Sequence, residues 1–233
     1  MITITSTNFY GAWLDTVKYR KDEMLSIWRN NKEYTSYIKG SDNSVLSEIA
    51  QAMNLKCYEK DYYSVDAIFY KDTDLTPKIN ENNYWFRHIT IAFEHENNFK
   101  GGLYQEISHL LITNSDLKVL VTYPNEDITN QFDYLHEIVK GCKHSNTISD
   151  EENFLIILGY ENGFEWEGYI FKQDKWLQLD DSKCLEMFQI EKEIAKTKIA
   201  KNEAVLRQEF EMSSALRDKE KMLGNKLEEL QRQ

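Results

Sequence analysis

Proline and cysteine are scarce in this chain. Two prolines stand in 233 residues, Pro77 and Pro124, and both fall between segments with a regular apolar pattern. Nine glycines leave no room for a Gly/Ser linker, and no internal repeat is visible. The three cysteines, Cys57, Cys142 and Cys184, are far apart, odd in number and form no CxxC. That excludes a disulfide scaffold and a cysteine zinc site, and it fits a reduced intracellular protein. The first residues, MITITSTNFY, have no basic start and no long apolar run, so no signal peptide is expected. No segment has the roughly 18 apolar residues a membrane helix needs. A cytoplasmic protein without a membrane contact is the expectation. Phosphate-binding loops are missing: there is no GxxxxGK[ST], and no GxGxxG after a strand. GxSxG, HExxH and an EF-hand loop are missing too.

Positive charge is in short supply, with 28 Lys and Arg against 39 Asp and Glu, a net charge of -11. That argues against a generally basic nucleic-acid surface. Basic clusters remain at Lys18-Arg20-Lys21, Arg29-Lys32 and Lys140-Lys143-His144. Apolar residues make up 41% and aromatics 13%, enough for a packed core.

Apolar spacing predicts a helical region over 10–37, with Trp13, Val17, Met24, Ile27 and Trp28 on one face. A second helix opens after Ser44, a suitable N-cap, with Val45, Ile49, Ala52 and Met53 as its stripe. KCYEKDYYSVDAIFY holds one or two strands, and YWFRHITIAFEHE holds another. GGLYQEISHLLIT has helical spacing, with the GG at 101–102 as its start. LKVLVTYP and FLIILGYEN are nearly continuous apolar runs, as expected for strands covered on both faces, with a helix over 126–140 between them. That β-α-β order predicts a parallel pair. FEWEGYIFKQDKWLQLD reads as a closing hairpin.

From about 184 the texture changes to dense Glu, Lys, Arg and Gln, read as one long helix. Residues 186–233 carry ten basic and ten acidic residues, so the negative charge belongs to 1–183. Leu216, Leu223 and Leu230 step by seven, with Leu227 between them. Three outcomes stay open: a coiled-coil or helical-hairpin arm that pairs with a second copy or another protein, a helix packed along its own domain, or a partly frayed tail.

The chemistry concentrates in HITIAFEHEN, residues 88–97. Alternation puts Ala92, Glu94 and Glu96 on one strand face and Ile91, Phe93 and His95 on the other. Two carboxylates about 7 Å apart on one face repel each other unless solvent or a divalent cation lies between them. Asp66 interrupts an apolar strand and can face Glu94 across a ladder. Glu48 borders the apolar stripe of the preceding helix. Each has a plain alternative: a solvated strand end for Glu94 and Glu96, an edge or turn residue for Asp66, and a first-turn helix acid for Glu48. His95 suits a packed histidine, whereas His109, a turn after Gln105, can overlook the acids.

The order of helix Glu48, strand Asp66, strand Glu94-His95-Glu96, then a helix and a buried strand resembles the PD-(D/E)xK nuclease superfamily, the restriction-endonuclease-like fold. The resemblance covers about 40–125. It implies an α/β fold with a mixed sheet flanked by helices; taken with the change of texture, the chain divides into such a domain over 1–183 and a long helical arm over 184–233. The resemblance implies a magnesium- or manganese-dependent endonuclease acting on nucleic acid, DNA ahead of RNA. Asp66, Glu94 and Glu96 would be the catalytic acids, and Glu48 a further metal ligand. The products would be a 5′-phosphate and a 3′-hydroxyl. Glu96 stands where the superfamily has lysine; Lys100 and Lys118 are the nearest alternatives, both read as ordinary surface residues. A catalytically degenerate member that binds a partner through its C-terminal helix is the second implication.

Overall fold

The computed structural model describes residues 2–77, 83–101, 103–124, 127–161 and 163–232. The chain begins with four helices: α1 (Ser6–Val17), α2 (Lys21–Ile27), α3 (Asn31–Ile38) and α4 (Val45–Met53). Strands β1 (Lys56–Tyr58), β2 (Ala67–Tyr70) and β3 (Ile89–Glu96) follow. Next come α5 (Leu103–Ile112), β4 (Ser115–Thr122), α6 (Thr129–Lys140), α7 (Ser145–Glu151) and β5 (Phe154–Tyr160). A hairpin of β6 (Glu165–Phe171) and β7 (Trp176–Gln178) precedes α8 (Asp181–Leu206) and α9 (Phe210–Arg232).

The seven strands form one sheet in the order of the sequence, β1 through β7. β3, β4 and β5 are parallel and every other neighbour pair is antiparallel. The expected parallel pair and closing hairpin are therefore present. Alternation divides the strand residues between two apolar layers. Ile91, Phe93, Val119, Val121, Leu155 and Ile157 pack with Phe9, Trp13, Ile49 and Phe188 on one side. Ala92, Leu120, Ile156 and Leu158 pack with Leu103, Ile107, Leu110, Phe132 and Leu135 on the other. Both faces are covered, which explains why β4 and β5 read as continuous apolar runs. The chain is an α/β protein with a mixed sheet between helical layers.

Several expected boundaries shift. The single helical region over 10–37 is three helices. Thr5 caps α1 by accepting from the Asn8 N–H at 3.1 Å, and Asn30 caps α3 by accepting from the Glu33 N–H at 3.3 Å. A side chain that satisfies the free N–H groups of a new helix start ends any continuous reading there. Ser44 does cap α4, accepting from the Ser47 N–H at 2.9 Å. The helix expected from 126 begins at Thr129; residues 125–126 lie outside the described residues. So does residue 102, half of the expected GG start of α5.

The C-terminal region is helical, as expected, but it is two helices. The chain reverses at 207–209, where Gln208 takes a left-handed φ of 61°. Antiparallel ion pairs then join α8 to α9: Lys219 with Glu193 at 2.5 Å, Lys226 with Glu186 at 2.6 Å, and Lys201 with Glu220. Leu216, Leu223, Leu227 and Leu230 are half-buried on α9. α8 also packs along its own domain, so the hairpin and the self-packed helix coexist. The boundary expected at 184 falls inside α8, whose Cys184 and Phe188 belong to the core.

α1 and α8 meet at Gly11. A Cβ there would collide with the Cys184 carbonyl and lie 2.7 Å from the Phe188 Cβ. Glycine lets the two helices approach this closely. No helix among the described residues is long and apolar enough to cross a membrane.

Candidate metal centre

β3 ends in Glu94-His95-Glu96 at the carboxyl end of the parallel strands, where open α/β sheets form their clefts. Its alternation holds as the sequence implies: Phe93 lies in one apolar layer and Ala92 in the other. β2 pairs antiparallel with β3 through Ala67 and Phe93, so Asp66 is the next residue in register, opposite Glu94. Its backbone N–H donates to Glu94 Oε2 at 3.3 Å, and its Oδ2 accepts from the His95 N–H at 2.9 Å. The Asp66 side chain thus continues the ladder where the strand stops.

α5 follows β3 and lays its apolar residues Leu103, Ile107 and Leu110 on the sheet. Glu106 and His109, three residues apart, share a face of that helix. His109 Nδ1 stands 3.5 Å from Glu94 Oε1 and 3.4 Å from Glu106 Oε2. One ligand atom from each of Glu94, Glu106 and His109 lies within 4.8 Å of the others. The Glu94 side chain is 1% exposed, Glu106 19% and His109 32%, so the group runs from a buried floor to a solvent-facing rim.

Burial, then the charges of Asp66 and Glu106, push the Glu94 carboxyl up to about 10. The ion-free protein therefore holds Glu94 protonated at neutral pH. Glu106 is also raised, first by burial and then by Asp66 and Glu96, against the opposing pull of His109. Among the described residues, Glu94 Oε1 and His109 Nδ1 are buried with no hydrogen-bond partner. A buried polar atom without a partner costs roughly 1–3 kcal/mol, so the pair calls for an explanation. The two atoms lie 3.5 Å apart, so a protonated Glu94 can donate to His109 Nδ1, and a divalent cation coordinated by both atoms would take the place of that contact. Two carboxylates and an imidazole suit manganese and its transition-metal neighbours better than magnesium, which prefers oxygen alone.

The residues expected to share an ion were Asp66, Glu94 and Glu96, with Glu48 as a further ligand. Of these, Glu94 alone belongs to the close group. Asp66 is held by Lys39 at the C-terminus of α3, whose Nζ contacts Oδ1 and lies 3.4 Å from the Asp66 carbonyl oxygen. Glu96 is half-buried, and its Oε1 accepts from the Asn98 N–H at 2.5 Å. Glu48 is exposed and turned to Arg20, accepting from Nε at 3.1 Å and from Nη2 at 2.6 Å. The apolar stripe of α4 enters the core, which leaves Glu48 on the flank beside the α1–α2 turn.

His95 lies in the opposite layer, as its alternation implies. Its Nε2 is 2.9 Å from the Tyr123 hydroxyl, and burial lowers its pKa to about 4. Lys118 is not a surface residue but buried, with Nζ 3.3 Å from the Ser115 carbonyl and hydroxyl oxygens. Burial holds its ammonium below the usual lysine range. It points toward the start of β4, away from Glu94.

Glu106 and Lys39 escaped the sequence reading. The Glu106-x-x-His109 spacing, one helix after a strand carboxylate, was a usable signal for the first. Nothing local marks Lys39, which meets Asp66 across 27 residues of chain. Compared with known proteins, the chain matches no protein-family model, no curated protein and no solved structure.

Proposed function

We propose that this protein is a metal-dependent nuclease that hydrolyses phosphodiester bonds at the Glu94 centre. The observation that carries the reading is the buried Glu94 carboxyl, with one oxygen unpartnered, facing Glu106 and His109 at the carboxyl end of β3. The succession α4-β1-β2-β3-α5-β4, with Asp66 opposite Glu94, supports the restriction-endonuclease-like resemblance. Manganese is the ion the donor set favours, with magnesium second.

Glu94, Glu106 and His109 would hold the ion. When bound, it would polarise a phosphate oxygen and lower the pKa of a coordinated water. Asp66 keeps Glu94 oriented through its N–H, and its own carboxylate is locked by the His95 N–H. Glu96 lies near enough to raise Glu106 and is the group placed to accept a proton from an attacking water. The buried floor excludes bulk water from Glu94, while the His109 side admits substrate. DNA stays ahead of RNA as substrate, and the expected products are a 5′-phosphate and a 3′-hydroxyl. The three free cysteines fit a reducing, cytoplasmic setting.

The test is incubation of single- and double-stranded DNA and RNA with the protein and Mn²⁺. Cleavage is expected in the wild type. It should be lost in Glu94→Gln and reduced roughly 10–100-fold or more in His109→Ala. A wild type that cleaves none of the four substrates in Mn²⁺ or Mg²⁺ overturns the assignment.

One observation favours a second reading, an interaction module acting through its C-terminal hairpin, as a homodimer or with another protein. Val205, Leu206, Phe210 and Met212 are exposed around the hairpin turn, Leu206 to 84%. The hairpin segment carries no net charge, so two copies can approach there without the repulsion of their acidic domains.

A further inference from the structure

A second set of buried polar groups lies beside α1 and α8, whose Phe9 and Phe188 pack on the sheet face opposite α5. The segment 3–8, the β6–β7 hairpin and the first turns of α8 enclose a cavity of about 740 Å³, a volume usual for a small-molecule site. Asn8 and Glu191 line it, and both are buried, with 2% and 7% of their surface exposed. Glu191 Oε1 accepts from the Asn8 side-chain amide at 2.8 Å, and Oε2 accepts from the Thr3 N–H at 2.7 Å. Both donors are neutral. Lys192, the next residue, turns to Asp15 at 3.2 Å, and no basic side chain among the described residues pairs with Glu191. A buried carboxylate without a cation is costly.

Asn8 adds a second demand. Its Nδ2 is committed to Glu191 and, at 3.0 Å, to the Thr3 carbonyl, so a flipped amide would set oxygen against oxygen. Its Oδ1 is thereby fixed as an acceptor, and it has no donor. One uncompensated carboxylate and one unpartnered amide oxygen both call for N–H groups that carry positive charge. Glu151 and Asp180 also line the cavity, their carboxylates held by the neutral N–H groups of Asn153 and Lys183. Ile170, Leu177, Leu179 and Met187 contribute an apolar wall.

We propose that this cavity binds an aliphatic polyamine, with one ammonium on Glu191 and the Asn8 amide oxygen, the carbon chain along the apolar wall, and further ammonium groups on Glu151 and Asp180. The site stands on neither the metal nor the nuclease reading of the Glu94 centre. A bare metal ion suits it less, because the Asn8 Nδ2 hydrogens already occupy Glu191 Oε1 and the Thr3 carbonyl. Lys183, half-buried in the same lining, opposes the charge of the ligand.

The test is calorimetric titration of the full chain with spermidine and putrescine, and with butanediol as the neutral counterpart of putrescine. Saturable binding of spermidine is expected in the wild type, and none of butanediol. Glu191→Gln should weaken spermidine binding at least roughly tenfold, through loss of a charge-assisted contact. Lys183→Gln should tighten it, and Glu94→Gln should bind as the wild type does. A melting curve for each variant shows that it is folded. If Glu191→Gln does not fold, Lys183→Gln carries the decision, and unchanged or weaker binding there overturns the proposal. No saturable binding of either amine by the wild type overturns it. So does a loss of less than roughly tenfold in Glu191→Gln, which is general adsorption of a polycation to a chain of net charge -11. Butanediol that binds as tightly as putrescine, or weakening by Glu94→Gln as large as that by Glu191→Gln, also overturns it.

Discussion

Glu94→Gln is expected to melt roughly 4–8 °C higher than the wild type at pH 8 without metal. A buried carboxyl pushed up to about 10 keeps its proton in the folded chain, while the unfolded chain releases it near the ordinary value of 4.5. Between those two values the unfolded state binds fewer protons than the folded state. Stability therefore falls as pH rises through that window. The slope is at most about 1.4 kcal/mol per pH unit, and local water entry reduces it, so about 2 kcal/mol at pH 8 is a reasonable scale. Glutamine has the same shape and no charge to lose. Its amide can still accept from the Asp66 N–H and donate to His109 Nδ1. At pH 4, below both values, the two proteins should melt alike apart from that amide contact. Calorimetric scans in chelator at both pH values check this. A glutamine variant that melts lower than the wild type at pH 8 contradicts the assignment of Glu94 as a penalised, ion-seeking carboxyl.

Gly11→Val should have the largest effect on the body of the fold while sparing the centre. A Cβ at Gly11 overlaps the α8 backbone and crowds Phe188, and valine adds two further methyl groups. Neither neighbour is a flexible side-chain tip, so the helices must separate. Overpacking of this kind costs about 1–3 kcal/mol, which lowers the melting temperature by roughly 2–12 °C. Loosening α8 should also expose the hairpin to protease near 207–209 before the rest of the chain. The Glu94 group lies on the other side of the sheet, against α5, so Mn²⁺ binding should survive. Limited proteolysis and the same melting scan decide it. An unchanged melting curve and an unchanged digestion pattern would show that α8 does not depend on this contact.

The fold was more legible than the centre, for physical reasons. β4 and β5 were readable because strands covered on both faces need continuous apolar runs. The β3 alternation was readable because one residue in two faces each layer. The breaks in the first helical region were harder to find. Val17, Met24, Ile27 and Trp28 keep one-face spacing past the α1–α2 turn, where no side chain caps the new helix, and Asn30 alone marks the start of α3. The reversal at 207–209 has no proline or glycine to mark it, and Gln208 adopts its left-handed conformation without a compositional cue.

In the centre, Asp66 opposite Glu94 followed from antiparallel pairing alone. The partners of Glu94 did not. Strand order says which acids share a face, but the helix that crosses that face decides which ligand atoms converge. α5 brings a ligand atom of Glu106 and of His109 within 4.8 Å of Glu94, in a group that does not include the strand's own Glu96. Glu48 misled because its position on α4 borders the apolar stripe, whereas its direction is set by Arg20, a contact 28 residues away in the chain.

Glu94, Glu106 and His109 are proposed to form a cation site. Its most direct test is Mn²⁺ titration of the wild type beside Glu94→Gln, Glu106→Gln and His109→Ala, followed by calorimetry. Saturable binding is expected in the wild type, abolished by Glu94→Gln and weakened at least roughly tenfold by each of the other two. Wild-type protein that takes up no Mn²⁺, or uptake that all three replacements leave unchanged, would contradict it.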